Sequence, residues 1–457
     1  MQVYFDKNLE LYKEQHLLWD SAWKERFFTS PVKEYLESQT EKILAISGLR
    51  GTGKTVGCLQ AAAGHDVMYV LAQKGEEETG HDYVRLLKEA KHRCIIIDEY
   101  SWIRERKPLD EYLLTAVQNG KRIVITATES ITLDFLNYGV LNHRVHVIHT
   151  TMFPYNEYLH LYQKEHSKEN CSTYLKEGGL FKPYALRNYD DSRHYIEEAI
   201  VGNLAGYLKG EMSEEKARTL TYAVLYKAIC PSNLSTIPTL RQAHVTLENY
   251  LDRMGVNTTL RPESRDLNRV ADIFESIGII VRIPNYVTES DNKEQYYIVN
   301  PSLTCQLIKH VYGLNEIDNS ILGHVFESCV GVQLATNKLS DHNIYFFNNV
   351  GSDDSGENKE LDFVLTDQKR EHAYFMECKY SQNDSLHPGI TLLSGHLESN
   401  EFQGMDIDGR YVVYNGRPAV RYWDGIGDII FTPISGILDH YFEFDSNKRK
   451  IRQNEFL

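Results

Sequence analysis

Eight consecutive residues, Gly48-Leu49-Arg50-Gly51-Thr52-Gly53-Lys54-Thr55, fit the pattern G-x-x-x-x-G-K-[ST] at every fixed position. The chemistry of that spacing is capture of a polyphosphate. Gly48, Gly51 and Gly53 let the backbone curl around Thr52 until its N–H groups converge on one anion. A helix starting at the end of the loop adds the partial positive charge of its N-terminus. Lys54 would neutralise the terminal phosphates, and the Thr55 hydroxyl would ligate Mg2+. The pattern has this meaning only between a strand and a helix. Lys42 to Ser47 reads as a buried strand, and Val56 to Ala63 as the start of a helix.

A second group lies downstream. Cys94-Ile95-Ile96-Ile97-Asp98-Glu99 is a short apolar run that ends in two carboxylates. Such runs suit a central parallel strand covered on both faces, and ligands gather at the C-terminal end of such strands. Asp98 is placed to hold Mg2+, directly or through water, and Glu99 to polarise an attacking water. The run Arg122 to Thr128 is apolar and then turns polar, so Thr126 or Thr128 could sense a terminal phosphate or simply cap the strand end.

A third group lies near the C-terminus. Asp362 sits in an otherwise apolar strand, and Glu377 and Lys379 alternate in the next, which puts them on one face. Glu327 lies among apolar residues of the preceding helix, Gly323 to Leu334. Buried charges need partners or a metal. These four residues read either as a site for one or two Mg2+ ions, with Lys379 orienting or activating a water for phosphodiester attack, or as a paired structural cluster.

The elements that must position these groups can be read coarsely. Residues 1–40 read as helical, with Pro31 breaking the pattern, and residues from 41 to about 150 alternate strand and helix. Residues from about 151 to 210 read as helix and turn, with a chain reversal at Gly178-Gly179. Leu220–Ile229, Thr239–Met254 and Ser264–Ser276 read as helices, followed by a hairpin around Thr288–Glu294. Three helices and a two-stranded wing suggest a winged helix, a module that binds DNA or serves as a lid or interaction domain. Four strands are expected after residue 320, at Ile344–Phe347, Leu361–Leu365, Ala373–Lys379 and Tyr411–Tyr414.

Composition narrows the classes. A chain of 457 residues is too long for one core. The net charge of −15 argues against a broadly basic, nucleic-acid-coating surface, but leaves room for a local basic groove. No apolar stretch is long enough to span a bilayer, and the N-terminus lacks the pattern of a signal peptide. Seven cysteines without a CxxC pair read as buried thiols in a reducing cytoplasm, with neither zinc site nor disulfides.

Taken in order, these motifs resemble a large family of bacterial and archaeal AAA+ ATPases that join an ATPase core to a winged helix and a C-terminal domain of PD-(D/E)xK-nuclease type. GLRGTGKT and CIIIDE match first. Ile125 to Ser130 stands where the family shows a T-G-S-type strand end. Leu141 to Val145 resembles its G-R-V segment, with His143 in place of Gly. Met152 to Leu159 is similar to its P-F-x-x-x-E-[YF] segment, and Gly178 to Phe181 to its G-G-[FL]-P turn, with Phe181 where Pro is usual. Gly323 to Glu327, Glu360 to Val364 and Glu377 to Lys379 resemble its G-x-x-[FL]-E helix and its E-[VL]-D-F and E-x-K strands.

The resemblance implies an α/β fold in five parts. These are an N-terminal helical segment (1–40), a parallel-sheet P-loop core (41–165), a helical lid (166–212), a winged helix (213–315) and a restriction-endonuclease-like α/β domain (316–457). It implies Mg·ATP held by the loop residues with Asp98 and Thr128, and slow hydrolysis aided by Glu99. It makes Arg144 an arginine-finger candidate, supplied in trans by a neighbouring subunit. It makes Asp362, Glu377 and Lys379 a second catalytic group, with Glu327, Asp362 and Glu377 as metal ligands. The function expected is an ATPase whose nucleotide state controls DNA processing or DNA binding by the C-terminal domain. The alternative is a nucleotide-dependent switch or protein-remodelling ATPase whose nuclease-like domain is inactive. Partners are ATP, DNA, a protein or further copies of the chain, and no membrane.

Overall fold

A computed structural model describes residues 2–17, 23–73, 75, 77–127, 139–151, 153–178, 193–208, 210–229, 246–256, 263–287, 294–337, 342–349, 359–381, 402–424 and 426–437. The first sheet contains β1 (Gln2–Tyr4), β2 (Ile43–Ser47), β3 (Val67–Leu71), β4 (Cys94–Asp98), β5 (Arg122–Ala127) and β6 (Val145–His149). Their order is β1-β3-β4-β5-β2-β6. All pairs are parallel except β1 with β3. The strand before the phosphate loop, β2, is therefore separated from β4 by β5.

Strand alternation divides the apolar residues between two layers. Ile43, Ala45, Ile95, Ile97, Ile123 and Ile125 pack with Leu109 and Leu113 of helix Lys107–Gln118. Leu44, Ile46, Ile96 and Val124 pack on the other face with Val32, Tyr35 and Leu36 of helix Thr29–Glu37, and with Cys58 and Leu59 of helix Lys54–Ala61. Continuous apolar runs are what a sheet covered on both faces requires. Each fully buried Ile or Leu contributes about 1.5–3 kcal/mol.

The N-terminal segment departs from the helical expectation in two ways. Gln2–Tyr4 adds an antiparallel edge strand to β3. Pro31 does not break a helix but lies in the first turn of Thr29–Glu37, where its missing N–H has no intrahelical partner to lose.

Beyond the sheet, helices Tyr155–Leu161, Lys168–Glu177, Gly202–Leu208 and Glu214–Ile229 follow, with a π-helical turn at Ile196–Val201. Helices Leu247–Arg253 and Ser264–Ser276 precede an antiparallel pair, β7 (Ile280–Pro284) and β8 (Glu294–Ile298). Residues 288–293 of the expected loop, residues 239–245 of the expected helix Thr239–Met254, and Gly179 lie outside the described residues, and Glu294 opens β8. Helix Pro301–Tyr312 is almost wholly buried. Helix Asn319–Asn337 lies against the second sheet.

The strands of that sheet are β9 (His342–Asn349), β10 (Lys359–Asp367), β11 (His372–Lys379), β12 (Asp406–Tyr414), β13 (Ala419–Trp423) and β14 (Gly427–Pro433), in the order β13-β14-β12-β11-β10-β9. β9, β10 and β11 form an antiparallel meander, and β11, β12 and β14 run parallel. β13 and β14 were not among the expected strands. One apolar cluster runs from Leu49 in the phosphate loop through Phe153, Tyr174 and Leu225 to Phe363 and Met376 of this sheet, so the parts share buried surface.

Among the described residues, Cys58, Cys94, Cys171, Cys305 and Cys329 are buried free thiols and Cys378 is half-buried. Cys230 lies outside them. No helix among the described residues is long and apolar enough to cross a membrane.

Candidate functional site

The phosphate loop begins where β2 ends. Gly51 and Gly53 adopt φ of 81° and 83°, the left-handed region that glycine enters freely. Gly48 is needed for closeness: a Cβ there would lie 2.4 Å from Oγ1 of Thr150. The Thr52 hydroxyl donates to the Leu49 carbonyl at 2.9 Å and lies 3.0 Å from the Thr150 hydroxyl, so the loop is braced from inside. Lys54 is buried, and its ammonium donates to the carbonyls of Gly48 (2.7 Å) and Leu49 (3.1 Å). The Tyr195 hydroxyl donates to the Arg50 carbonyl at 3.0 Å from outside.

The ends of β4 and β5 meet the start of the loop helix at Asp98. Its Oδ2 accepts from the Thr55 hydroxyl at 2.7 Å and from Tyr69 at 2.6 Å. Its Oδ1 accepts from the Thr126 hydroxyl and from the Glu99 N–H at 3.1 Å. Of the two threonines proposed as a sensor, Thr126 touches Asp98 and also accepts from the Glu99 N–H at 3.1 Å. Thr128 lies outside the described residues. Tyr69 escaped the sequence reading because it is one apolar-looking residue in an apolar run. Only the pairing of β3 with β4 puts its ring beside Asp98.

Glu99 has a φ of 55°, which turns it off the strand line. Burial raises its carboxyl above the ordinary range; Lys54 opposes that rise and Asp98 adds to it. Its Oε2 is buried without a hydrogen-bond partner. The donor set fits a magnesium nucleotide: a hydroxyl and a carboxylate already in contact, a buried ammonium, a curled glycine loop, and an acid with an unused oxygen nearby.

Arg144 is exposed and immediately precedes β6. Its carbonyl accepts from Ile43 N–H, at the start of β2, whereas the phosphate loop leaves the far end of that five-residue strand. The separation is about 16 Å along the strand. Arg144 therefore stands at the opposite rim of the sheet from its own loop.

In the second sheet, a one-residue bulge on β10 falls between Leu361 and Val364 and turns Asp362 out of the regular ladder. Its Oδ2 accepts the Cys378 N–H at 2.6 Å. Lys379 donates to Glu377 Oε2 at 3.1 Å. Glu377 is buried, and burial together with the nearby Asp362 pushes its carboxyl up to about 8. Burial raises Asp362 as well, and Lys379 opposes that shift. Burial opposes the charge on Lys379, but Glu377 and Asp362 hold its pKa above the usual lysine range. Glu327 is raised by burial and then by Asp362; Tyr297 donates to it at 3.3 Å.

Asp362 acts on both Glu327 and Glu377, and Glu377 acts on Glu327, so the four residues form one electrostatic group. Met376 and Tyr374 pack with helix Asn319–Asn337, whereas Phe375 packs in the cluster on the other face. By alternation Glu377 faces with Phe375. Among the described residues, no group of three or more His, Cys, Asp or Glu is arranged to hold a metal ion.

Comparison with known proteins bears on the first site. Residues 40–159 match the family model described as AAA domain. No curated protein matches the chain. Among solved structures, the chain is similar to a structure of Drosophila ORC bound to DNA (15% identity, 66% of this chain and 91% of that one, TM-score 0.24). It is similar to the Thermotoga maritima RuvB Holliday junction branch migration motor (14%, 56% and 88%, TM-score 0.23). A third is C. elegans PCH-2 (14%, 49% and 63%, TM-score 0.21). TM-scores of this size decide nothing about function. What the chain shares with the AAA family is the segment 40–159, the P-loop unit built around Lys54 and Asp98.

Proposed function

We propose that this protein binds and hydrolyses Mg·ATP at the loop of residues 48–55, and that nucleotide state controls its C-terminal α/β unit. One observation carries the reading: Asp98, at the end of β4, takes hydroxyl hydrogen bonds from Thr55 of the loop helix and Thr126 of the intervening strand. Three motifs distant in sequence meet at one carboxylate. Gly48, Gly51, Thr52 and Gly53 would cradle the phosphates, Lys54 would neutralise them, and Thr55 and Asp98 would hold Mg2+. When bound, the metal would spread the negative charge that develops on the phosphates. Glu99 would take the proton of the attacking water; its burial suits it to that task. Thr126 would relate the terminal phosphate to Asp98, and Arg144 would serve the site of a neighbouring subunit.

Coupling to the C-terminal unit is supported by a contact beside the loop. Asn156 donates to the Ser435 carbonyl at 2.7 Å, so helix Tyr155–Leu161 is tied to the end of the second sheet. We read that sheet, with Asp362, Glu377 and Lys379, as nuclease-like, and β7–β8 with its helices as a winged helix. The domain limits 41–165, 166–212, 213–315 and 316–457 belong to the same proposal. The second reading, a switch whose C-terminal unit only binds a partner, is favoured because, among the described residues, no group of three or more His, Cys, Asp or Glu is arranged to hold a metal ion.

One experiment separates them: ATP turnover and metal-dependent cleavage of single- and double-stranded DNA, with and without ATP, for wild type, Lys54→Ala and Lys379→Ala. Cleavage lost in Lys379→Ala and altered in Lys54→Ala supports a nucleotide-controlled nuclease. Turnover without cleavage supports the switch. No turnover sinks both.

A further inference from the structure

Arg26 belongs to none of the motifs. It is 6% exposed, and its fork is committed on two sides. Nε and Nη2 donate to Glu157 at 2.7 and 3.0 Å, while Nη1 donates to the Thr52 carbonyl in the phosphate loop. The Phe27 N–H also donates to Glu157, at 2.6 Å. The guanidinium carbon lies 5.3 Å from the Phe28 ring centre and 4.9 Å from that of Phe153. The segment is seated directly on the loop helix: a Cβ at Gly57 would come within 2.3 Å of the Phe28 ring. A buried ion pair is tolerable only with such complete geometry, and removal of one partner strands the other charge.

A trans peptide is planar, so its C=O and the next N–H point to opposite sides. Holding the Thr52 carbonyl toward Arg26 turns the Gly53 N–H the other way. We propose that Arg26 is a positioning residue of the phosphate cradle, clamping the Thr52 carbonyl outward so that the Gly53 N–H faces the bound anion, with Glu157 fixing the guanidinium. The proposal rests on the reading of residues 48–55 as a nucleotide site. Lysine at position 26 keeps a donor for the carbonyl, whereas glutamine loses the charge.

The test is the affinity of the full-length chain for Mg·ATP by calorimetry, with a thermal melt for each variant. The variants are Lys54→Ala, Arg26→Lys, Arg26→Gln and the double variant Arg26→Gln/Glu157→Gln. The double variant removes both buried charges and decides the matter if Arg26→Gln alone does not fold. The expected result is an affinity loss of roughly tenfold in the glutamine variants, with a lowered melting temperature in Arg26→Gln and one nearer wild type in the double variant, and recovery of affinity to within about threefold in Arg26→Lys. Wild-type affinity in a folded glutamine variant overturns the proposal, as does an equal loss in Arg26→Lys. A wild type that binds no ATP, or binds it as Lys54→Ala does, overturns the nucleotide reading itself.

Discussion

The Tyr69 hydroxyl donates to Oδ2 of Asp98 at 2.6 Å, the same oxygen that takes the Thr55 hydroxyl at 2.7 Å. Tyr69, which packs in the same layer as Cys58 and Leu59 of the loop helix, thus holds the carboxylate in place from the neighbouring strand β3. A hydrogen bond to a charged group is worth about 1.5–3 kcal/mol. Tyr69→Phe is expected to raise the Mg2+ concentration needed for half-maximal ATP turnover roughly tenfold or more. A magnesium titration of the rate checks this; an unchanged midpoint would show that Asp98 needs no such brace.

Glu99 has a buried oxygen without a partner, beside Lys54. Glu99→Gln is expected to keep ATP affinity and to slow hydrolysis by about 10²–10⁴-fold, the usual yield of a positioned base. Equilibrium binding and single-turnover hydrolysis, measured on the same preparation, separate the two effects. Normal hydrolysis would remove Glu99 from the chemistry.

Arg144 lies at the rim of the sheet opposite its own loop. Arg144→Ala is expected to reduce turnover by about a thousandfold with ATP affinity unchanged. Mixing Arg144→Ala with Lys54→Ala subunits should restore part of the rate, since each supplies what the other lacks. If mixing restores nothing, the finger role is wrong.

Glu377 carries a pH signature. An unfolded glutamate titrates near 4.5, and the folded one is pushed up to about 8. The folded state therefore binds this proton more tightly. Its contribution to stability is complete below 4.5 and is lost as pH rises toward 8. Lys379, shifted upward, adds no opposing slope in that window. Melting temperatures from pH 4.5 to 8.5 in chelator-containing buffer should fall more steeply for wild type than for Glu377→Gln. Parallel curves would contradict the assignment.

The phosphate loop, β2, β4 and β5 were legible in the sequence because their signals are local. A glycine pattern sets backbone geometry within eight residues, and an unbroken apolar run marks a strand covered on both faces. The hairpin β7–β8 and the helices before it were legible for similar reasons. Pro31 misled because a proline reads alike whether it stops a helix or sits in its first turn. β13 was missed because Ala419–Trp423 has an exposed face and carries no continuous apolar run; the apolar run of β14, Ile429 to Phe431, is only three residues long.

The sequence by itself determined which residues could bind phosphate, which strand ends in acids, and the order in which these appear. Tertiary structure alone decided which of them meet. The strand order brought Tyr69 and Thr126 to Asp98, and the fold carried Arg26 across to Thr52 and Glu157. It also brought Glu327 of helix Asn319–Asn337 within the field of Asp362 and Glu377 of the second sheet. The physical reason is that side-chain chemistry is written residue by residue, whereas proximity between distant residues depends on strand pairing and on how buried faces are shared, and neither leaves a local trace.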